Sequence, residues 1–235
     1  MMAPIAGATC AVCGEGLAQP NPWDKLGLGG VCQEDLPPYK KAVAYGAYDG
    51  ELRELIHLLK YDHVHPAASV LGRMLGEAID KLELAGAIIV VPVPLHSSKR
   101  RQRRFNQAEL IAQAALRSLA KSAAAKSNTP VDFQLESGAL QRVRPTVPQI
   151  GLTRPQRQEN IRGAFRVPHL TKVSGRDILL VDDVMTTGTT AAECARVLLR
   201  GGANTVWVVT VARTLKNTIR AISLDGSDLA AAVGE

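Results

Sequence analysis

Apolar side chains return at fixed intervals along most of this chain, and the periodic part begins near Lys41. Leu52, Leu55, Ile56 and Leu59 recur three and four residues apart, as do Val70, Leu71, Met74, Leu75, Ala78, Ile79 and Leu82, so each set predicts one face of an α-helix. The apolar run Ala87 to Val93 has no polar alternation and predicts a strand buried on both faces, ended by Pro92 and Pro94. A third helix is expected from about Phe105 to Lys121, with Ala108, Ile111, Ala115, Leu116 and Leu119 inside. The small, polar SAAAKSNTP that follows (122–130) reads as a loop or a frayed helix end. Ile178 to Val181 is another buried strand, Thr189 to Arg200 a helix closed by Gly201 and Gly202, and Thr205 to Ala212 a strand. Strand, helix and strand within about 35 residues make a βαβ unit, which predicts a parallel sheet.

Three segments lack this order. Residues 1–40 are rich in Gly, Pro and Cys and read as a small irregular module, while 141–162 are basic, polar and interrupted by proline, which suits a functional loop. The tail from Thr214 is expected to be a short helix or disordered.

With 235 residues, 46% hydrophobic, the chain can bury a core either as one large domain or as one ordinary domain plus a small module, which excludes disordered and collagen-like classes. No run of 18 apolar residues predicts a membrane span, and MMAPIAGATCAVCGEG lacks the basic and apolar regions of a secretory signal, so the cytoplasm is the expected compartment. In that compartment Cys10, Cys13, Cys32 and Cys194 are expected as reduced thiols or metal ligands. The net charge of +6 conceals a division. Residues 1–95 carry 7 basic and 11 acidic side chains, 96–176 carry 16 and 4, and 177–235 carry 5 and 7. One basic stretch in an acidic body points to a polyanionic partner, phosphate-rich small molecule or nucleic acid, where the plainer alternative is a solvated positive face.

The chemistry concentrates in residues 178–190. The strand Ile178–Val181 is expected to end at Asp182 and Asp183, after which Val184, Met185, Thr186, Thr187, Gly188, Thr189 and Thr190 open a helix. A Thr/Gly turn at a helix N-terminus presents N–H groups and hydroxyls to an anion, which makes it a phosphate cradle. Two carboxylates beside a phosphate do not bind that phosphate. They accept hydrogen bonds from the vicinal hydroxyls of a sugar, or face Mg²⁺. A ribose 5-phosphate group satisfies both halves, whereas an Asp-Asp helix cap with turn-forming threonines leaves the coincidence of features unexplained.

ILLVDDVMTTGTT resembles the phosphoribosyl pyrophosphate (PRPP) signature of type I phosphoribosyltransferases, and YDGELRELIHLLKY (48–61), VVPVPLHSSKRRQRRFNQAE (90–109), RPTVPQIGLTRPQRQENIRGAF (144–165) and GGANTVWVVTVAR (201–213) narrow the resemblance to the ComF family of competence-associated proteins. The resemblance implies an α/β type I phosphoribosyltransferase fold with a parallel sheet at 41–213, behind a zinc-ribbon-like cysteine module at 1–40 and ahead of a tail at 214–235. It implies PRPP with Mg²⁺ as ligand, Asp182 and Asp183 on the ribose hydroxyls as the catalytic pair, and Thr186, Thr187, Gly188, Thr189 and Thr190 around the 5-phosphate. It implies transfer of phosphoribosyl to a nitrogen acceptor, or PRPP binding without catalysis, and a role in DNA uptake beside single-stranded DNA and a competence helicase or recombination mediator.

Other residues take roles from both lines of reading. Lys99, Arg100, Arg101, Arg103 and Arg104 follow a strand end, where open α/β sheets bind ligands, so Arg100, Arg103, Arg104, Asn106 and Gln107 are candidates for pyrophosphate or a DNA backbone, or else form a solvated helix start. The family usually has Gly where this chain has Arg104, which is awkward if the backbone there needs a positive φ. Thr146, Gln149, Leu152, Arg157 and Asn160 match the family's pattern in a segment suited to a hood over pyrophosphate, with Arg157 as a further anion contact. Cys10 and Cys13 form CxxC, and Cys32 is followed by Asp35 where the family's zinc ribbon has a fourth Cys, so the candidate zinc ligands are Cys10, Cys13, Cys32 and Asp35, or the finger has lost its metal. Cys194 is expected in the core, and His57, His63, His65, His96 and His169 show no ligand pattern. A DNA-binding module resting on the basic stretch alone is disfavoured because Phe105 is nearly its lone aromatic.

Overall fold

The computed structural model describes residues 5, 7–17, 26–61, 64, 66–123, 131–146 and 153–215, without the side chains of Gln102, Arg154 and Pro155. His63, His65, Gln149, Leu152, most of the 122–130 loop and the tail beyond Leu215 lie outside them.

Five parallel strands form the central sheet in the order β1 (Lys41–Ala47), β7 (Thr205–Arg213), β6 (Asp177–Met185), β2 (Ala87–Pro92) and β3 (Asp132–Leu135). The continuous apolar runs are continuous because both faces of the sheet are covered. Along β2, β6 and β7, Ile88, Val90, Leu179, Val181, Trp207 and Val209 point into one core, and Ile89, Val91, Ile178, Leu180, Val206 and Val208 into the other. The first core is closed by α2 (Gly50–Tyr61), α3 (Pro66–Ile79) and α5 (Gln107–Ala123), which bring Leu52, Ile56, Leu71, Leu75 and Ile111 onto the sheet. The second is closed by α7 (Thr189–Arg200), by the N-terminal cysteines and by a small hood of residues 139–142 and 161–166, which adds Ala139, Leu140, Ile161, Ala164 and Phe165. Helices α3 and α5 cross at Gly72, where an added Cβ would stand 2.8 Å from the Ala114 carbonyl carbon.

The N-terminal module is short. An antiparallel bridge joins Thr9 to Gly16 around the CxxC turn, and a five-residue helix, α1 (Gly30–Glu34), carries Cys32. Ala42 N–H donates to Val12 O, tying the module to the edge strand β1.

Three expectations are corrected. The strand expected to end at Asp182 and Asp183 runs on to Met185, because β7 continues beside it and pairs Asp182 with Thr210, Val184 with Ala212 and Met185 with Arg213. The aspartates lie on the strand, ahead of the turn, as expected. The segment 141–162 is only partly loop. It holds β4 (Gln141–Arg142), antiparallel to β5 (Phe165–Arg166), and a helix α6 (Arg154–Ile161) that hydrophobic periodicity misses because the helix is almost wholly polar. Gln156 Oε1 accepts the Thr153 N–H at 2.8 Å, one arm of a capping box that was written in the sequence. The basic run after β2 is itself a helix, α4 (Ser97–Arg103), capped by His96 Nδ1, which accepts the Ser98 N–H at 3.4 Å. At its end Arg104 adopts φ +64°, so the positive φ that the family's glycine suggested is present, held by an arginine.

Candidate functional site

The carboxyl ends of β2, β6 and β7 open into a cleft of about 210 Å³, lined by Lys60, Arg103, Asn106, Gln107, Arg142, Thr146, Asp182, Asp183, Thr186, Gly188, Thr189, Thr190 and Thr210. Open parallel sheets bind ligands at this end of their strands. The two aspartates reach it because β6 carries them past the end of β2.

Their environments differ. Asp182 Oδ1 accepts the Asp183 N–H at 2.9 Å, and Asp183 Oδ1 accepts the Val184 N–H at 2.8 Å. Asp183 Oδ2 lies 2.8 Å from Lys60 Nζ, a pair whose side chains are 7% and 4% exposed. Burial pushes the Asp182 carboxyl well above the ordinary carboxylate range, and Asp183 pushes it further. Burial acts the same way on Asp183, but the Lys60 ammonium and the Val184 N–H outweigh it and hold that carboxyl below the ordinary value. Lys60 stays charged because Asp183 offsets its own desolvation. The two carboxyls are therefore inequivalent: the charged form is disfavoured at Asp182 and favoured at Asp183. Lys60 acts on Asp182 only as a lesser influence, its direct ion pair being with Asp183. A divalent cation or sugar hydroxyls in the cleft supply what the ionised form of Asp182 needs, so these residues fit the Mg²⁺ that the signature implies.

The cradle follows at once. Thr186 to Gly188 turn from the strand into α7, with Gly188 as its N-cap at φ +78°. A Cβ there would lie 2.8 Å from Met185 Cε, the far end of a flexible side chain, so it is the positive φ that favours glycine. Thr187 Oγ1 and Thr189 Oγ1 are 2.9 Å apart, and the free N–H groups of a 12-residue helix face the cleft.

The other candidates separate. Arg103 is buried, stacks its guanidinium 5.1 Å from the Tyr61 ring centre and lines the cleft. Arg100 and Arg104 are exposed and do not line it. Asn106 lines it but works as a cap: its Nδ2 donates to Val93 O at 3.0 Å and its Oδ1 accepts the Ala108 N–H at 3.1 Å. Gln107 is buried, and its Oε1 has no partner among the described residues. Arg157 sits half-buried on α6, outside the cleft. Cys194 is fully buried in the core, His57 hydrogen-bonds Tyr48 Oη at 2.9 Å and His96 caps α4.

Lys60 and Arg142 were missed by sequence reasoning. Lys60 falls on the Leu52, Ile56, Leu59 stripe of α2, and a lysine on a buried stripe is a signal that was available. Arg142 comes from the hood, donates through Nη2 to Thr146 Oγ1 and lies over the Phe165 ring, but nothing local marks it among so many arginines.

Behind the cradle lies a second, larger cavity of about 640 Å³, bounded by Cys13, Cys32, Tyr39, Thr186 to Thr189, Arg196 and Arg213. Beside it the Sγ atoms of Cys10, Cys13 and Cys32 all lie within 4.8 Å of one another, all three residues are buried, and none is in a disulfide. Burial raises the thiols of Cys13 and Cys32. Sulfurs bound to one zinc at about 2.3 Å stand just under 4 Å apart, so the cluster fits a metal. Asp35, the fourth candidate, borders the cavity but its carboxylate is not among the clustered atoms.

The "DNA utilization protein YhgH" of Shigella flexneri is 36% identical to this chain over 190 residues, 79% of this chain and 78% of that one. The "Competence protein F" of Haemophilus influenzae is 31% identical over 191 residues, 78% and 77%. The chain belongs to the ComF family. The four segments that suggested ComF bring Lys60, Arg103, Arg142's neighbour Thr146 and the end of β7 to one cleft or its wall, and the chain has the α/β architecture with a parallel sheet that the ComF resemblance implied. No family model matches the chain. Among solved structures it aligns with glutamine PRPP amidotransferase from B. subtilis complexed with ADP and GMP, at 16% identity and a TM-score of 0.37, over 71% of this chain and 34% of that one, too loosely to carry residues across. No helix of the described residues is long and apolar enough to cross a membrane.

Proposed function

We propose that this ComF protein binds PRPP with Mg²⁺ in the cleft at the end of β6 and serves the handling of incoming DNA in the cytoplasm. The observation that carries the reading is the joining of two inequivalent carboxyls to a helix-capping Thr/Gly cradle at one cleft, the donor set of a ribose 5-phosphate. Asp182 and Asp183 take the ribose hydroxyls, the Thr186–Thr190 loop takes the 5-phosphate, and Arg103, with Gln107 and Arg142, faces the pyrophosphate side. The cation supplies charge neutralisation at the pyrophosphate when bound. Residues 1–40 act as a zinc-holding module, 41–213 as the PRPP domain and 214–235 as a tail.

If the domain turns over, the ribose C1–O bond to pyrophosphate breaks, a C1–N bond to an amine or nucleobase forms, and the nitrogen's proton leaves to solvent. Positive charge then develops on the sugar beside Asp182 and Asp183, which stabilise it. The alternative, a PRPP-binding adaptor without turnover, draws on the names of the relatives, which speak of DNA utilization and competence rather than of transfer.

Calorimetry with PRPP and Mg²⁺ tests the reading. Saturable 1:1 binding that Asp182→Asn and Thr190→Val both weaken supports it, and unchanged binding in Asp182→Asn overturns the assignment. Pyrophosphate release over a panel of amine and nucleobase acceptors then separates the enzyme from the adaptor.

A further inference from the structure

Arg213, the last residue of β7, is 4% exposed, yet its guanidinium finds little inside the chain. Its Nε and Nη1 have no hydrogen-bond partner among the described residues, and Nη2 reaches only Cys13 Sγ, at 3.8 Å. Guanidinium keeps its proton in any protein environment, so burial does not neutralise it. A buried cation is strongly destabilising unless a negative charge stands beside it. The group beside it is the sulfur cluster of Cys10, Cys13 and Cys32.

Three neutral thiols offer no such charge. Three thiolates around one divalent cation carry a net charge of one negative, equal and opposite to the guanidinium. A fourth thiolate, as in the family's four-cysteine ribbon, would overshoot it, and in this chain that position is Asp35, outside the cluster. We propose that Arg213 is the counter-charge of a three-thiolate divalent-metal centre at Cys10, Cys13 and Cys32, and that this pairing fastens the cysteine module to the back of the phosphate cradle. The proposal rests on the metal assigned to the module above and adds its partner in this chain.

The fastening is contiguous in the structure. Arg213 pairs in register with Met185, the last residue of β6, and Thr214 N–H donates to Met185 O at 3.0 Å. Tyr39 is buried against the cysteines, and its hydroxyl lies 3.4 Å from where a Gly188 Cβ would stand. Metal, Arg213, Tyr39 and Gly188 thus line one path from the cluster to the N-cap of α7. Loss of charge balance at one end loosens packing at the other.

Co²⁺ titration of the full chain tests this, with wild type, Arg213→Lys, Arg213→Gln and Arg213→Met. Wild type is expected to develop thiolate-to-cobalt absorption of three-thiolate intensity. The Met and Gln variants keep that band but bind Co²⁺ about 10- to 100-fold more weakly, the usual cost of losing an outer partner of a metal ligand, and Lys recovers part of the loss. In the metal-free protein Arg213→Met leaves Tm unchanged or higher, since it removes an uncompensated buried cation, whereas with Co²⁺ it lowers Tm relative to wild type. Hydrogen exchange at 186–190 slows on Co²⁺ loading in wild type and not in Arg213→Met. A wild-type chain that takes up no Co²⁺ overturns the centre itself. Equal Co²⁺ affinity in wild type and in the Gln variant, or an Arg213→Met Tm loss of the same size with and without metal, overturns the role of Arg213.

Discussion

Asp182 and Asp183 are adjacent in sequence but not equivalent in chemistry, and mutation should tell them apart. Asp183 forms the buried ion pair with Lys60, so Asp183→Asn strands a buried ammonium and Lys60→Met strands a buried carboxylate. Breaking a buried pair from one side costs about 3–5 kcal/mol, which urea unfolding of either variant should show, and Lys60→Met/Asp183→Leu together should recover part of it. Asp182→Asn is expected to cost less, because burial and Asp183 disfavour the charged form of that carboxyl. The pH dependence carries the same distinction. A carboxyl raised on folding contributes stability at low pH that is lost as pH climbs from the ordinary carboxylate range through the raised value, so Asp182→Asn should gain on wild type in stability over that interval. Binding runs the other way. Ribose hydroxyls or a cation need Asp182 ionised, so PRPP affinity should rise with pH until Asp182 has lost its proton, and calorimetry in buffers of different ionisation enthalpy should register close to one proton released per PRPP bound below that point. Proton-neutral binding would place the hydroxyls elsewhere.

At the scale of elements, the placement of the cradle depends on where β6 stops and α7 begins. Apolar periodicity located the strand and the helix but not the strand's last residues, and the Asp-Asp-x-x-Thr-Thr-Gly-Thr string named their junction, because a helix start and a phosphate turn are local events written in local residues. The extra strand at Val184 and Met185 was not legible, since it exists only because β7 runs alongside. Helix α6 was hidden for the opposite reason: it has no apolar stripe, and its capping signal was the one thing to read. Arg104 shows a reading that needed both. The family's glycine suggested a positive φ, the structure has φ +64°, and a non-glycine residue held there costs about 1–2 kcal/mol. Arg104→Gly should therefore raise stability by up to about 1 kcal/mol after the added freedom of the unfolded chain is set against it, read as a higher urea midpoint with unchanged m-value. Gly72→Val makes the reverse test at the α3–α5 crossing. The Ala114 backbone blocks any side chain, and overpacking there should cost at least about 1–3 kcal/mol.

The whole molecule resolves the basic stretch of 96–176 into two populations. Arg103 and Arg142 turn inward to the cleft, while Arg100, Arg101 and Arg104 stand exposed around α4 and its end, next to the cleft mouth but outside it. Composition alone offered one choice between two polyanions at one site. The geometry separates the arginines into an inner pair that lines the cleft and an outer set that does not, and under the proposed function the inner pair faces pyrophosphate and the outer set a longer anion. If the proposed role beside single-stranded DNA is right, neutralising Arg100, Arg101 and Arg104 together should leave PRPP affinity within about two-fold, because none of the three lines the cleft. It should weaken binding to an oligonucleotide, and the slope of log affinity against log salt should shrink by about 2, each lost phosphate contact on a single strand accounting for roughly 0.7. Arg103→Met should do the opposite, losing PRPP affinity while the salt slope for DNA stays within about 0.7 of wild type. Fluorescence anisotropy over a range of salt, beside calorimetry with PRPP, reads both in the same four proteins' worth of material: wild type, the triple variant, Arg103→Met and the two combined. A triple variant that loses PRPP and DNA in parallel would mean that the two anions compete for one surface, and the division of the arginines into inner and outer sets would fall with it.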